Sequence, residues 1–277
     1  TIKRGFDPRE FPIIPAGGAG PIHSCLICNE LEIPLQIVPR ESSVLCAFGM
    51  LMSELKHDFV RTFVARLESL DWAKLAEIVD AMIRDGAAQL ADERIAEARR
   101  RYEVKFDCRY IRQYHEVSFV VPRALLDARD SAGIARAFHA EHNRLYGYSL
   151  EQEGTPVEII NVRVQAIGAT DKPGYRREEW AGADAGHALK GRRGVYVPET
   201  KAFADVPVYD GHRMRFGNRI DGPAMIEQAT TAIFVSSSYD CVVDALGSFA
   251  IYRKGREDLC RSAFGPAAVA EPAPVAA

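Results

Sequence analysis

Between a proline-broken extended run, Phe11 to Ala16, and an apolar helical stretch lies Ala16-Gly17-Gly18-Ala19-Gly20-Pro21. Glycines let a backbone turn tightly and approach a ligand with no Cβ in the way. A helix start behind them offers free N–H groups and a positive dipole end, both suited to phosphate or ribose oxygens. The run lacks the Gly-Lys-Ser/Thr of a Walker loop and is not a full dinucleotide fingerprint, so alone it equally describes a structural strand-to-helix turn. His57-Asp58 is a candidate acid/base pair or substrate contact, because imidazole is the side chain best poised for proton transfer near neutrality. A structural salt bridge is the competing role for that pair.

His139 and His142 fall three apart on a helix and could share a metal with Glu141 or Glu158. Glu141 points elsewhere on such a helix, and capping or packing is the favoured role of both histidines. Cys25 and Cys28 have C-x-x-C spacing, but no second pair stands at a zinc-ribbon distance, so they read as small apolar packing groups. Tyr114-His115-Glu116 falls between strands, where hydrogen bonding across a turn suffices to explain it. Thr230-Thr231 and Ser236-Ser237-Ser238 are polar and strand-adjacent, and no Gly-x-Ser-x-Gly elbow accompanies them.

The elements that must position these residues follow from periodicity. Pro21 sits in the first turn of a helix over 22–31, and a short buried strand spans 35–38. Ser42 or Ser43 caps a helix from Val44 to about Leu67, whose apolar positions include Leu45, Phe48, Leu51, Leu55 and Phe59. Asp71 caps a second helix running towards Arg101, with Leu75, Ile78, Val79, Met82 and Ile83 in helical spacing and Gly86 as a break. Strands over 104–110 and 116–121 form a hairpin, a helix spans 134–145, and 157–167 alternates with Ile160, Val162, Val164 and Ala166 on one face. A long loop over 170–193 leads to short strands at 195–197, 206–209, 224–227, 232–235, 241–243 and 249–252, the texture of a sandwich or barrel-like β domain.

Composition bounds the function. The 277 residues are 47% hydrophobic, enough for a substantial core, and the net charge of -3 leaves no basic stripe for nucleic acid. No apolar run reaches the roughly 18 residues of a membrane span, and six scattered cysteines fit a reducing compartment, so the expected location is cytoplasmic. The Ala/Pro-rich end, 261–277, is expected to be a disordered tail.

Arg4-Gly5-Phe6-Asp7-Pro8-Arg9-Glu10-Phe11 leading into Gly17-Gly18-Ala19-Gly20-Pro21-Ile22-His23 resembles the signature of the hydantoinase A, 5-oxoprolinase and ketone carboxylase family. Ile33-Pro34 to Val38-Pro39, Ala47-Phe48-Gly49-Met50-Leu51 and His57-Asp58-Phe59-Val60-Arg61-Thr62 agree in order. So do Phe138 to Tyr148, Pro156 to Val164, and Gly222-Pro223-Ala224-Met225-Ile226-Glu227. The resemblance covers roughly residues 1–252. It implies an α/β plus β-rich fold: part of an actin-like, sugar-kinase-like ATPase domain in 1–70, a connecting helix in 71–101 and a β-rich C-terminal domain in 102–260.

The same resemblance implies that Gly17, Gly18 and Gly20, with Ala19, Pro21 and Ile22 as neighbours, contact the adenosine of ATP. The phosphate loops and metal-binding Asp of that fold have no counterpart, since no Asp-x-Gly-Gly-Thr-like run occurs. They are expected, with Mg2+ or Mn2+, from another chain or from a preceding portion, so the ATP site is split. Val38-Pro39-Arg40-Glu41-Ser42-Ser43 and Leu55-Lys56-His57-Asp58 resemble the acetophenone and acetone carboxylase branch. That branch implies a subunit of an ATP-dependent carboxylase of ketones, completed by a hydantoinase B-like large subunit. A hydantoinase or 5-oxoprolinase-type subunit acting on a cyclic amide is the alternative, and a non-catalytic scaffold the rival from another class. Three glycines at a helix start favour the nucleotide-binding readings.

Overall fold

The structure, a computed structural model, describes residues 5–263. Contacts divide the chain into a continuous unit, 52–172, and a discontinuous one made of 1–51 with 173–277. The family resemblance implies linear divisions after residues 70 and 101. The contact units differ because antiparallel pairing joins segments far apart in sequence. Most of the expected tail, 264–277, lies outside the described residues.

The continuous unit is a four-stranded antiparallel sheet with helices against it. Its strands are β2 (Leu55–Arg66), β3 (Arg100–Tyr110), β4 (Val117–Val120) and β5 (Val157–Gly168), in the order β2-β5-β3-β4. Its helices are α3 (Trp72–Asp92), α4 (Arg123–Asp127) and α5 (Ser131–Tyr146). The Asp71 carboxylate caps α3 by accepting from the Lys74 N–H at 3.0 Å, and Leu75, Val79, Met82 and Leu90 carry its buried stripe. Met82, Phe106, Ile134, Phe138, Ile159 and Val162 are among the buried members of this unit's core.

The helix drawn from Val44 to Leu67 is α2 (Leu45–Met52) followed by β2. The spacing of Leu45, Phe48, Leu51, Leu55 and Phe59 fits a helix. The run Phe59-Val60-Arg61-Thr62-Phe63-Val64, however, is rich in β-branched and aromatic residues, and Phe59 to Thr62 pair with β5, a pairing that resumes at Ala65. The helix drawn from Asp71 to Arg101 ends at Asp92, and Arg100 and Arg101 already belong to β3. Gly86 does not break α3. A Cβ there would come 2.6 Å from the Ala166 Cβ and 3.2 Å from the Phe59 ring, so the glycine lets the helix lie close on the sheet.

A bulge also changes one face of β5. Asp107 pairs with Asn161 but Cys108 with Ile159, so Ile160 is the extra residue. Val162, Val164 and Ala166 are buried as the alternation predicts, whereas upstream of the bulge Ile159 takes the buried place expected of Ile160.

The discontinuous unit holds α1 (Gly20–Glu30), β1 (Leu35–Val38) and α2, then β6 (Leu189–Val197), β7 (Ala202–Asp210), β8 (Arg219–Asp221), β9 (Ala224–Glu227), β10 (Ala232–Val235), β11 (Tyr239–Val243) and β12 (Phe249–Arg253). These make two four-stranded sheets, β1-β12-β11-β8 and β10-β9-β7-β6, with the β7–β9 pair parallel and the rest antiparallel. One core draws Cys25 and Cys28 from α1, Val38 from β1, Ile226 and Ile233 from one sheet, and Cys241 and Ile251 from the other. The α/β plus β-rich class expected from sequence is therefore the observed one.

Candidate functional site

The glycine loop sits where the sequence places it, after the extended run and at the start of α1. Ile13 bridges to Gln36 beside β1, which fixes the incoming chain. Gly17 takes a left-handed φ of 87°, a conformation that favours glycine, and its N–H donates to the Ser42 carbonyl at 2.7 Å. Gly18 lies against the turn between β9 and β10. A Cβ on it would meet the Thr230 carbonyl oxygen at 3.0 Å, and its own carbonyl accepts from the Thr231 hydroxyl at 2.9 Å. The Ser43 and Thr230 hydroxyls are hydrogen-bonded at 2.6 Å beside it.

Helix α1 then begins at Gly20 with Pro21 in its first turn and Ala19 at the N-cap, where no side chain supplies a cap. Among the described residues, no acceptor takes the N–H groups of Gly18, Ala19 or Gly20. Unclaimed donors at a helix start, on an exposed turn of small residues, can receive oxygen or nitrogen acceptors of a ligand. Ser42, Ser43, Thr230 and Thr231 are the loop's partners that sequence reasoning missed. No local spacing could reveal Thr230 and Thr231, because the β9–β10 turn returns to the loop from about two hundred residues along the chain.

The rest of α1 is structural. The Cys25 thiol donates to the Phe234 carbonyl at 3.1 Å and accepts from the Gln36 amide at 2.9 Å. Burial pushes its pKa up to about 11, and that of Cys28 up to about 12, so both are protonated thiols in a core. The packing role read for them from sequence is the one observed.

His57 and Asp58 lie on strand β2, not near a helix end, and successive residues of a strand face opposite sides. His57 Nε2 is 2.9 Å from a Glu93 carboxylate oxygen, and Nδ1 is 3.0 Å from the Gln89 amide nitrogen. Asp58 instead accepts from the Gln165 amide at 2.9 Å. The two do not form an acid/base pair with each other. Both ring nitrogens of His57 are engaged in tying β2 to the end of α3.

His139 and His142 are buried in an aromatic cluster. The Tyr110 hydroxyl accepts from the Leu150 N–H at 2.8 Å and lies 2.7 Å from His139 Nδ1. His142 donates from Nδ1 to the Tyr148 carbonyl at 2.9 Å and accepts at Nε2 from the Gln113 amide at 3.0 Å. Tyr110, Phe138, Tyr146 and Tyr148 ring it. Glu141 pairs with Arg144 at 2.6 Å, and Glu158 with Arg109 at 2.8 Å, so neither carboxylate turns to the histidines. Among the described residues, no group of three or more His, Cys, Asp and Glu could hold a metal ion. No helix among them is long and apolar enough to cross a membrane.

Two family models match the chain. That of the hydantoinase/oxoprolinase C-terminal domain covers residues 68–253, and that of hydantoinase/oxoprolinase covers 1–59. The caprolactamase subunit alpha of Pseudomonas jessenii is 30% identical over 90% of this chain and 36% of its own length. The acetophenone carboxylase gamma subunit of Aromatoleum aromaticum is 27% identical over 88% of this chain and 34% of its own. Nucleotide-free acetone carboxylase, a solved structure, superposes with a TM-score of 0.72 at 22% identity, covering 90% of this chain and 36% of that one. The chain thus spans about a third of the length of these relatives.

Proposed function

The chain belongs to the hydantoinase/oxoprolinase family, and from that membership we propose that it supplies the adenosine side of a split ATP site in an enzyme acting on a small carbonyl compound. The observation that carries this reading is the loop 17–22: a left-handed Gly17, a Gly18 whose added Cβ would press on the Thr230 carbonyl, and three N–H groups that have no acceptor among the described residues at the start of α1. Gly17, Gly18, Ala19 and Gly20 would approach the nucleoside through backbone atoms, while Pro21 and Ile22 start the helix behind them. The Ser43–Thr230 hydroxyl pair would offer hydrogen bonds to a ribose. ATP would supply a phosphoryl group that activates an amide or bicarbonate oxygen for displacement, or traps an enolate as its phosphate. The Mg2+ or Mn2+ ligands and phosphate loops are assigned to the portion or subunit that completes the site, because this chain gathers no metal-holding cluster among its described residues.

Two substrate classes remain in view, each on its own observation. A lactam hydrolysed at its cyclic amide is favoured by the 30% identity to the caprolactamase subunit. A ketone carboxylated next to its carbonyl is favoured by the superposition on acetone carboxylase and by the acetophenone carboxylase subunit. Both need a hydantoinase B-like partner in this reading.

The split site is tested by measuring ATP-analogue binding to this chain, to the portion carrying the phosphate loops, and to the reconstituted pair. Binding that appears on mixing and is lost in Gly18→Val supports it. Equal binding by the phosphate-loop portion alone, unmoved by Gly18→Val, sinks it. Assays of the full assembly with a ketone plus bicarbonate, against a lactam, then separate the two substrate classes.

A further inference from the structure

Away from the glycine loop, Arg40, Arg176, Arg177 and Arg215 line a cavity of about 680 Å3 together with Glu178, Glu179 and Trp180. All belong to the unit formed by 1–51 and 173–277. Among the described residues, Arg176, Arg177 and Arg215 form no ion pair, whereas Arg40 stands 3.6 Å from Glu178. Glu178 is already committed, since its other oxygen accepts from the Phe216 N–H at 3.3 Å. Four guanidiniums against two carboxylates leave two positive charges in excess in one concavity, on a chain whose net charge is -3. Like charges gathered in a recess repel one another and raise the local potential, and a bound anion relieves both.

The frame beneath these side chains is held in place. The strap through Glu178 is pinned by its N–H to the Ala245 carbonyl at 2.8 Å and by the Ala181 N–H to the Phe216 carbonyl at 2.9 Å. Asn218, fully buried, donates to the Gly182 and Asp184 carbonyls at 3.0 and 2.8 Å, while its oxygen accepts from the Arg215 N–H at 2.8 Å. Gly217 has a left-handed φ of 94° and no Cβ, and the Trp180 indole occupies the space a Cβ would need. One hub therefore fixes the backbones of Arg215 and of the segment carrying Trp180. Guanidinium groups recognise phosphate and carboxylate through paired N–H donors, and less is lost on binding when their backbone is already fixed.

We propose that this cavity binds a compact oxyanion of two negative charges, a phosphate or a dicarboxylate, gripped by Arg176, Arg177 and Arg215 with Trp180 as an apolar wall. The site shares no residue with the glycine loop, so it stands whether or not that loop contacts nucleotide. The half-exposed indole is also the reporter. The chain has two tryptophans, so Trp72→Phe leaves Trp180 as the sole emitter. The full chain carrying Trp72→Phe is titrated at about pH 7.5 with inorganic phosphate in one arm and succinate in a second, with KCl at matched ionic strength in a third.

The expected result is a saturable change in Trp180 emission with at least one dianion. Its midpoint should rise about tenfold or more in Arg215→Ala and in Arg176→Ala, the loss of a charge-assisted hydrogen bond. Lys56→Ala, in the other unit, should leave it unchanged. A response to inorganic phosphate alone assigns a phosphate ligand, to succinate alone a dicarboxylate, and to both a site that reads charge. No saturable response, a response that KCl reproduces, or a midpoint unmoved in both arginine variants overturns the proposal. Far-UV circular dichroism of each variant, with Arg215→Lys as the milder replacement, separates lost binding from lost fold.

Discussion

Single residues in this chain show how neighbours decide what a side chain can do. His57 and Asp58 were candidates by type, yet each is bound to a partner on a different face of the sheet. His57→Gln is therefore expected to leave the activity of the assembled enzyme within about twofold while lowering stability by about 1 kcal/mol, read by parallel activity and urea-denaturation measurements. Asp107 is nearly buried and accepts from Arg163 at 2.7 Å and from the Asn161 amide at 3.1 Å. Asp107→Ala should cost about 1–3 kcal/mol, at the lower end because Arg163 can turn to water.

The pH dependence of the same unit turns on His139. Burial, and then the neighbouring His142, hold its pKa below the ordinary value of 6.5, although the Glu151 charge opposes them. The unfolded chain then takes up the proton first as pH falls through that value, so stability is fully present above it and declines on the acid side, until the folded pKa is reached. Urea midpoints measured at about pH 7.5 and about pH 5.5 should fall with acid, and the fall should be smaller in His139→Gln.

At the scale of elements, α3 illustrates a helix whose sequence signals were half right. Its cap and its apolar stripe were legible, because both are local in the chain. Gly86 was misread as a break, because what it accommodates is Ala166 on β5, eighty residues away. A helix-interior glycine costs roughly 0.5–1 kcal/mol relative to alanine in propensity alone. Gly86→Ala should nonetheless destabilise, by about 1–3 kcal/mol, since the new methyl would sit inside contact distance of the sheet. Thermal unfolding of the variant decides the sign, and a stabilised protein would show that α3 can lift off the strand at little cost. The strand β2 makes the complementary point. Leu55 and Phe59 continue the helical spacing of Leu45, Phe48 and Leu51 and also share one face of a strand, and pairing with β5 selects the strand.

At the scale of the whole molecule, the chain leaves one unit after Leu51, completes a second over 52–172, and returns to the first. The second unit begins and ends on paired strands, Leu55 opposite Gly168, and has its own core. Such a segment is expected to fold alone. The isolated 52–172 fragment should unfold in one cooperative thermal transition, and a broad, probe-dependent melt would show that it needs the flanking unit. By itself the sequence determined the family, the mixed α/β and β-rich class, most strands and helices, and the place of the glycine loop at the start of α1. These rest on motifs and periodicities that are local and so legible along the chain. Only the tertiary structure decided that β2 is a strand, that Gly18 is wedged against Thr230, that His139 and His142 belong to an aromatic core, and that Arg40 joins Arg176, Arg177 and Arg215 around one cavity. Each of these depends on which distant segments meet, and it is close packing and antiparallel pairing, not spacing within a segment, that brings them together.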